Sequence, residues 1–283
     1  MTGGEQPGDD RFRLQVKFWG VRGSIATPQQ ENLGFGGNTT CIEVRLPNNE
    51  VVIIDGGTGL RYLGIALTLE QGNQPLFLRF LITHFHWDHI QGIPFFSPLY
   101  APSNQVDFYS DYPPEQLQRF LQGQMSCPYF PLAFERLAAR RRMFQIQSEF
   151  RIGDLRVHSF PLNHPQGATG YRLELNGAVV VHASDLEHGD KKLDTVLLDH
   201  AQNADLLIYD AQYTPEEYTG KKGWGHSTWL EAVRTAREAK VKKLILFHHD
   251  PSHGDQFMEE LVLQARSQFE NTEAAVEGCN LSI

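Results

Sequence analysis

Thr83-His84-Phe85-His86-Trp87-Asp88-His89 is the stretch on which the reading of this chain turns. It closes a nearly continuous apolar run over 77–83, which reads as a buried strand with polar groups at its C-terminal end. A lone histidine is usually a satisfied surface or core residue. Three histidines and one aspartate within six positions of one loop are costly to explain that way. His84 and His86 alternate, so an extended segment brings both to one metal, while Asp88 and His89 turn towards a second. Imidazole with carboxylate suits zinc and neighbouring divalent ions, and paired ions are a device for cleaving phosphate esters.

Outward from that loop, composition sets bounds. Of 283 residues, 41% are apolar and 21% charged, which excludes fibrous repeats and general disorder. Twenty-five Lys and Arg against 34 Asp and Glu leave a formal net charge of -9, without the global positive field that draws long nucleic acids. Cys41, Cys127 and Cys279 are odd in number and widely spaced, and read as thiols in a reducing cytoplasm. Residues 1–11 are polar and acidic, a disordered lead-in and no signal peptide. No run approaches the ~20 apolar residues of a membrane helix. The expectation is a cytoplasmic protein that spans no membrane, with one domain over residues 12–283.

Strand patterns fall at 12–19, 41–46, 50–54, 77–83, 106–110, 155–162, 171–175, 179–183, 205–209 and 243–247. Helices are expected at 191–202, 228–240 and 255–270, and a helical pattern runs from 113 to 145 around the insert Met125-Ser126-Cys127-Pro128-Tyr129-Phe130-Pro131. On that helical reading, Arg140-Arg141-Arg142 points three ways and forms a solvated face.

The His84–His89 pattern resembles the metallo-β-lactamase superfamily, over about residues 16–250. The resemblance implies an α/β fold, the αββα four-layer sandwich, with further motifs in order. Val52-Ile53-Ile54-Asp55-Gly56-Gly57 is similar to the strand and Asp-Gly turn that supports the metal loop, with Asp55 behind the ligands. His164, Asp185 and a histidine after Leu244-Ile245-Leu246-Phe247 match the later ligands. Gly225-His226-Ser227-Thr228 resembles the HST motif of the RNase Z branch, and spacing from it picks His248 over His249. The resemblance gives His84, His86 and His164 to one ion, and Asp88, His89 and His248 to the other, with Asp185 bridging. It implies two divalent ions per chain, Zn2+ first with Mn2+ or Fe as alternatives, and a phosphodiesterase using a metal-bridging hydroxide. Asp88 and His226 are its catalytic residues, His226 as general acid for the leaving alkoxide.

Only 20 residues separate His164 from Asp185, around the turn Asn176-Gly177. The tRNA-gripping arm of RNase Z has no room there. Phe18-Trp19-Gly20-Val21-Arg22-Gly23-Ser24 and Gly36-Gly37-Asn38-Thr39-Thr40 look like the armless RNase Z-like phosphodiesterases that hydrolyse small cyclic nucleotides. Arg22 and Asn38 are then expected at the substrate, and Tyr129 and Phe130 as a stacking surface for a base. The expected substrate is a small cyclic nucleotide rather than tRNA, and the branch implies a homodimer. The alternative is an RNase Z-like nuclease or another small phosphodiester hydrolase. A non-catalytic metal-binding sensor is the reading from another class.

Overall fold

The computed structural model describes residues 13–283, so the lead-in expected at 1–11 lies outside the described residues. Strands β1 (Gln15–Gly20), β2 (Cys41–Arg45) and β3 (Val51–Ile54) run antiparallel, and β4 (Phe77–Leu81), β5 (Gln105–Ser110) and β6 (Arg140–Gln145) extend the sheet in parallel. The second sheet repeats this scheme. There β7 (Glu149–Ile152), β8 (Leu155–Leu162), β9 (Ala168–Leu175) and β10 (Ala178–Ala183) are antiparallel, followed in parallel by β11 (Leu206–Asp210), β12 (Lys243–Phe247) and β13 (Thr272–Ala274). The last strand, β14 (Asn280–Ser282), returns to the first sheet beside β1.

Period-two alternation distributes the side chains among three apolar layers. In β3, Val52 and Ile54 enter the layer between the sheets, where Val180, Ile208 and Phe247 meet them. Val51 and Ile53 face the other way, beneath α1 (Leu60–Gln71) and α3 (Pro114–Gln124). In β11, Leu206 and Ile208 point inward while Leu207 and Tyr209 support α4 (Lys191–Ala201), α6 (Trp229–Glu238) and α7 (Asp255–Gln268). Helix, sheet, sheet, helix is the expected four-layer α/β sandwich. Each fully buried Val, Leu, Ile or Phe in these layers contributes about 1.5–3 kcal/mol. Two single-turn helices, α2 (Trp87–Ile90) and α5 (Pro215–Tyr218), complete the list.

Three sequence expectations need correction. Helix α1 was not expected: Leu60, Leu63, Gly64 and Leu67 are buried at helical spacing, but exposed Ile65 and Leu69 blur the stripe. The helical reading of 113–145 stops at Gln124, and residues 140–145 form β6. A strand alternates the Arg140–Arg142 side chains across two faces, and Arg142 bridges to the buried Asp107 on β5. Short edge strands β7, β13 and β14 also lay outside the expectation, being three or four residues long. Among the described residues, no helix is long and apolar enough to cross a membrane.

Candidate metal centre

The parallel strands deliver polar residues to one edge of the sandwich, just beyond their C-terminal ends, where open α/β sheets place ligands. Asp55 follows β3, residues 84–89 follow β4, His164 follows β8, and Asp185 follows β10. Asp210 ends β11, and His248 follows β12. Asp55, Asp185 and His248 each leave their strand in the left-handed region, at φ 59°, 65° and 63°. A non-glycine residue there costs on the order of 1–3 kcal/mol, so the surrounding contacts hold all three in a strained turn.

Three donor groups result: His84, His86 and His164; Asp88, His89, Asp185 and His248; and a third, Asp185, Asp210, His226 and His248, which shares Asp185 and His248 with the second. His86 Nδ1 lies 3.2 Å from His164 Nε2. His89 Nε2 is 3.2 Å from Asp185 Oδ2, and His248 Nε2 is 3.2 Å from Asp88 Oδ2 and 3.4 Å from Asp185 Oδ1. Ligand bonds of ~2.0–2.1 Å in a tetrahedron imply donor separations of about 3.3 Å. The second group therefore has metal-like spacing, and Asp185 reaches towards the first through His84 Nε2 at 3.8 Å.

The opposite nitrogen of every histidine is already engaged, which fixes the tautomer. His84 Nδ1 donates to Thr83 Oγ1 at 3.0 Å, and His86 Nε2 to Gln166 Oε1 at 3.3 Å. His89 Nδ1 donates to Asp55 Oδ2 at 2.8 Å, His164 Nδ1 to the Gly225 carbonyl at 2.9 Å, and His248 Nδ1 to Gln212 Oε1 at 2.9 Å. The remaining nitrogens point inward, where a bound cation would take the place of any second proton. Buried His84 Nε2 and His89 Nε2 have no hydrogen-bond partner within the chain. A buried polar atom without a partner is costly, and a cation removes that cost. The residues present fit divalent metal ions.

Electrostatics agree. Burial favours a neutral Asp185, but the His248 and His89 imidazoles outweigh it and hold the carboxyl well below its ordinary range. Asp88 is displaced downward in the same way, against burial, chiefly by His89 and His248. Burial opposes a charge on His248, yet Asp185, Asp88 and Asp210 raise it to about 9. The pocket is built around positive charge.

Close packing backs the ligands. A Cβ on Gly23 would stand 2.3 Å from His248 Nδ1, and one on Gly225, at φ +87°, 2.3 Å from His164 Nδ1. The loop before β2 serves the same end, since the Ser24 N–H donates to Asp88 Oδ2 at 2.7 Å.

The family model described as "Beta-lactamase superfamily domain" matches residues 52–249, a span that contains all three donor groups. The chain belongs to this superfamily. Among its relatives, a protein named Ribonuclease Z from Synechococcus sp. (strain CC9311) is 28% identical, over 95% of this chain and 99% of that one. Their alignment runs over 328 residues, more than this chain contains, so the relative carries segments missing here. Two solved structures share the superfamily fold. The metallo-beta-lactamase fold protein YhfI from Bacillus subtilis has a TM-score of 0.73 and 20% identity over 95% of this chain and 99% of its own. A diphosphatase from the PhnP family has a TM-score of 0.71 and 19% identity over 96% and 98%.

Beside the superfamily donor set stands His226, whose Nδ1 donates to Asp210 Oδ2 at 2.9 Å. Thr228 caps α6 by accepting from the Glu231 N–H, so capping does not occupy His226. Asp210 was missed in the sequence because the expected strand stopped at 209; an aspartate ending a buried strand, like Asp55 and Asp185, was its signal. Its carboxylate also accepts from the backbone N–H groups of Asp185, Gln212 and Ser227. His249 turns away from the cluster, with Nε2 on the Ala275 carbonyl at 2.9 Å, while His248 faces it.

Of the four expected substrate contacts, Arg22 and Asn38 have their side chains engaged within the chain. Arg22 is fully buried, and its guanidinium donates to the carbonyls of Gly36, Asp250 and His253 at 2.7–3.0 Å. It ties the N-terminal loop to the segment after β12, with a further long contact from Nη2 to the Asn32 carbonyl at 3.5 Å. Asn38 is held by Glu277, at 2.9 Å from Nδ2. Phe130 packs edge-on against Phe95 over the outer layer of the first sheet, with Tyr129 exposed beside it. The insert is anchored there by its own aromatic contacts.

Proposed function

We propose that this metal-dependent phosphodiesterase of the metallo-β-lactamase family holds two divalent ions, Zn2+ first, and hydrolyses small cyclic nucleotides. The observation that supports it best is the first two donor groups, with Asp185 of the second standing 3.8 Å from His84 of the first and His226 beside them. His84, His86 and His164 would hold one ion, Asp88, His89 and His248 the other, and Asp185 would touch both. When bound, two such ions supply an acidified water for attack and positive charge for the phosphoryl oxygens. Asp210 accepts from His226 Nδ1–H and would stabilise the imidazolium, whose Nε2–H is then the proton given to the leaving oxygen. Asp55 holds His89 in the tautomer that turns Nε2 inward.

The substrate class rests on the short path from His164 to Asp185. β9 and β10 are joined by Asn176-Gly177 alone, both at positive φ, a tight hairpin with no inserted arm. The net charge of -9 works in the same direction, since nucleic-acid affinity is dominated by phosphate neutralisation. The name of the Synechococcus relative favours a second reading, a nuclease acting on RNA. A chromatographic screen of cyclic mono- and dinucleotides beside a linear RNA and a pre-tRNA, with metal content measured, tests the two. Faster cleavage of pre-tRNA than of any cyclic nucleotide refutes the cyclic-nucleotide assignment. A homodimer is part of the proposal, and a monomeric mass by light scattering at micromolar concentration would refute that part.

A further inference from the structure

The turn before His226, Lys221-Lys222-Gly223-Trp224-Gly225, is built as firmly as a ligand loop. The Glu187 carboxylate accepts the Gly223 N–H at 2.7 Å, the Gly225 N–H at 3.3 Å and the Tyr218 hydroxyl at 2.8 Å. The Trp224 N–H donates to the Lys221 carbonyl at 3.2 Å, and the Gly225 carbonyl accepts from His164. Gly223 and Gly225 sit at φ +84° and +87°. Yet the side chain this turn presents is an indole left 61% exposed. Holding so large an apolar surface in water forgoes the gain of burying it, which makes an unpartnered indole on a rigid turn informative.

Lys221 lies against the same turn. Its ammonium stands 4.5 Å from the Tyr213 ring centre and 5.5 Å from that of Trp224, with Asp250 Oδ2 at 3.5 Å. Tyr213 is buried and meets the His226 ring edge-on at 5.9 Å. The ammonium is thus one ring away from the imidazole that faces the leaving oxygen. An indole face and a cation are complementary to an aromatic base and to an anion.

We propose that Trp224 and Lys221 form the leaving-group subsite, Trp224 stacking on the nucleobase and Lys221 pairing with a phosphate that flanks the scissile one. Resting on the phosphodiesterase reading, this names what the substrate must carry beside the bond that breaks: an aromatic base and a further negative charge. Lys221 keeps enough free surface for that contact, its side chain being 34% exposed.

The test uses metal-loaded protein and three probes: adenosine 2′,3′-cyclic phosphate, the same compound with a 5′-phosphate, and glycerol 1,2-cyclic phosphate, which has no base. Stacking of one base sets the scale, so Trp224→Ala should lower kcat/KM for the adenosine probes roughly 10–100-fold, through KM. The loss on the glycerol probe should be at least tenfold smaller, and Trp224→Phe should recover most of it. Lys221→Met should remove the preference for the 5′-phosphorylated probe. By calorimetry, Trp224→Ala should weaken adenosine monophosphate binding about tenfold or more, a readout that needs no turnover. Equal losses on the adenosine and glycerol probes, or unchanged nucleotide binding, overturn the subsite and leave the phosphodiesterase reading standing. No cleavage of any probe by metal-loaded wild type overturns the phosphodiesterase reading and the subsite with it.

Discussion

The two sheets feed the metal centre in different ways. The first delivers four side chains from one loop after β4, with Asp55 behind them. The second delivers His164, Asp185, Asp210 and His248 singly, from the ends of β8, β10, β11 and β12. Their strand plans are alike, antiparallel then parallel, and both Asp55 and Asp185 sit in left-handed turns just past matching strands, β3 and β10. Their tasks differ. Asp55 accepts from Thr83 and His89 and is in none of the donor groups, whereas Asp185 stands with Asp88, His89 and His248 in one of them and with Asp210, His226 and His248 in another. The same backbone device orients a ligand in one sheet and supplies one in the other.

Substitution of these two aspartates separates the tasks most sharply. Asp185→Ala should empty both sites and lower turnover by roughly 10³-fold or more, because charge stabilisation and the attacking water are lost together. His86→Ala should empty one site only; equal depletion in the two variants would remove Asp185 from its shared position. Next in size is His226→Ala, with both metals retained and hydrolysis of alkyl phosphodiesters reduced about 10²–10⁴-fold. For bis(p-nitrophenyl) phosphate the loss should be much smaller, since p-nitrophenolate leaves unprotonated. Asp210→Asn should follow the same split more weakly, and equal slowing of both substrates would argue against proton donation from His226. Asp55→Asn should weaken metal binding about 10–100-fold by titration while leaving the fold intact, as loss of an orienting partner does. Complete loss of metal would place Asp55 among the ligands instead.

The smallest effect concerns stability. Burial lowers the His182 imidazole to about 4 from its ordinary 6.5. Above pH 6.5 both folded and unfolded chains hold it neutral, and it adds no pH dependence. As pH falls from 6.5 to about 4, the unfolded chain takes up a proton that the folded one resists, so stability is lost across that window. The contribution is at most about 3 kcal/mol. His182→Gln should flatten the fall in urea midpoint between pH 7 and 4.5, and an unchanged slope would contradict the assignment.

The contrast between the sheets also explains what was legible in the sequence. Residues 84–89 announce themselves by density, because four coordinating groups in one loop have no ordinary structural use. His164, Asp185 and His248 are single polar residues after apolar runs, a pattern any strand end can show; they became readable only as a series set by a family resemblance. Asp210 escaped because its strand was ended one residue early. Arg22 illustrates the opposite error. A loop arginine among glycines looks like a phosphate ligand, yet its carbonyl partners at Asp250 and His253 lie more than 220 positions away, beyond local reading. Likewise, α1 was hidden because surface Ile65 and Leu69 carry apolar side chains that periodicity assigns to a core.

The central claim is that the two sheets close around a pair of ions shared at Asp185. Elemental analysis of protein purified without chelator measures it directly. Two divalent ions per chain, falling to near zero in Asp185→Ala with the fold retained by circular dichroism, is the expected result. One ion per chain in the wild type, unaffected by loss of Asp185, would contradict it.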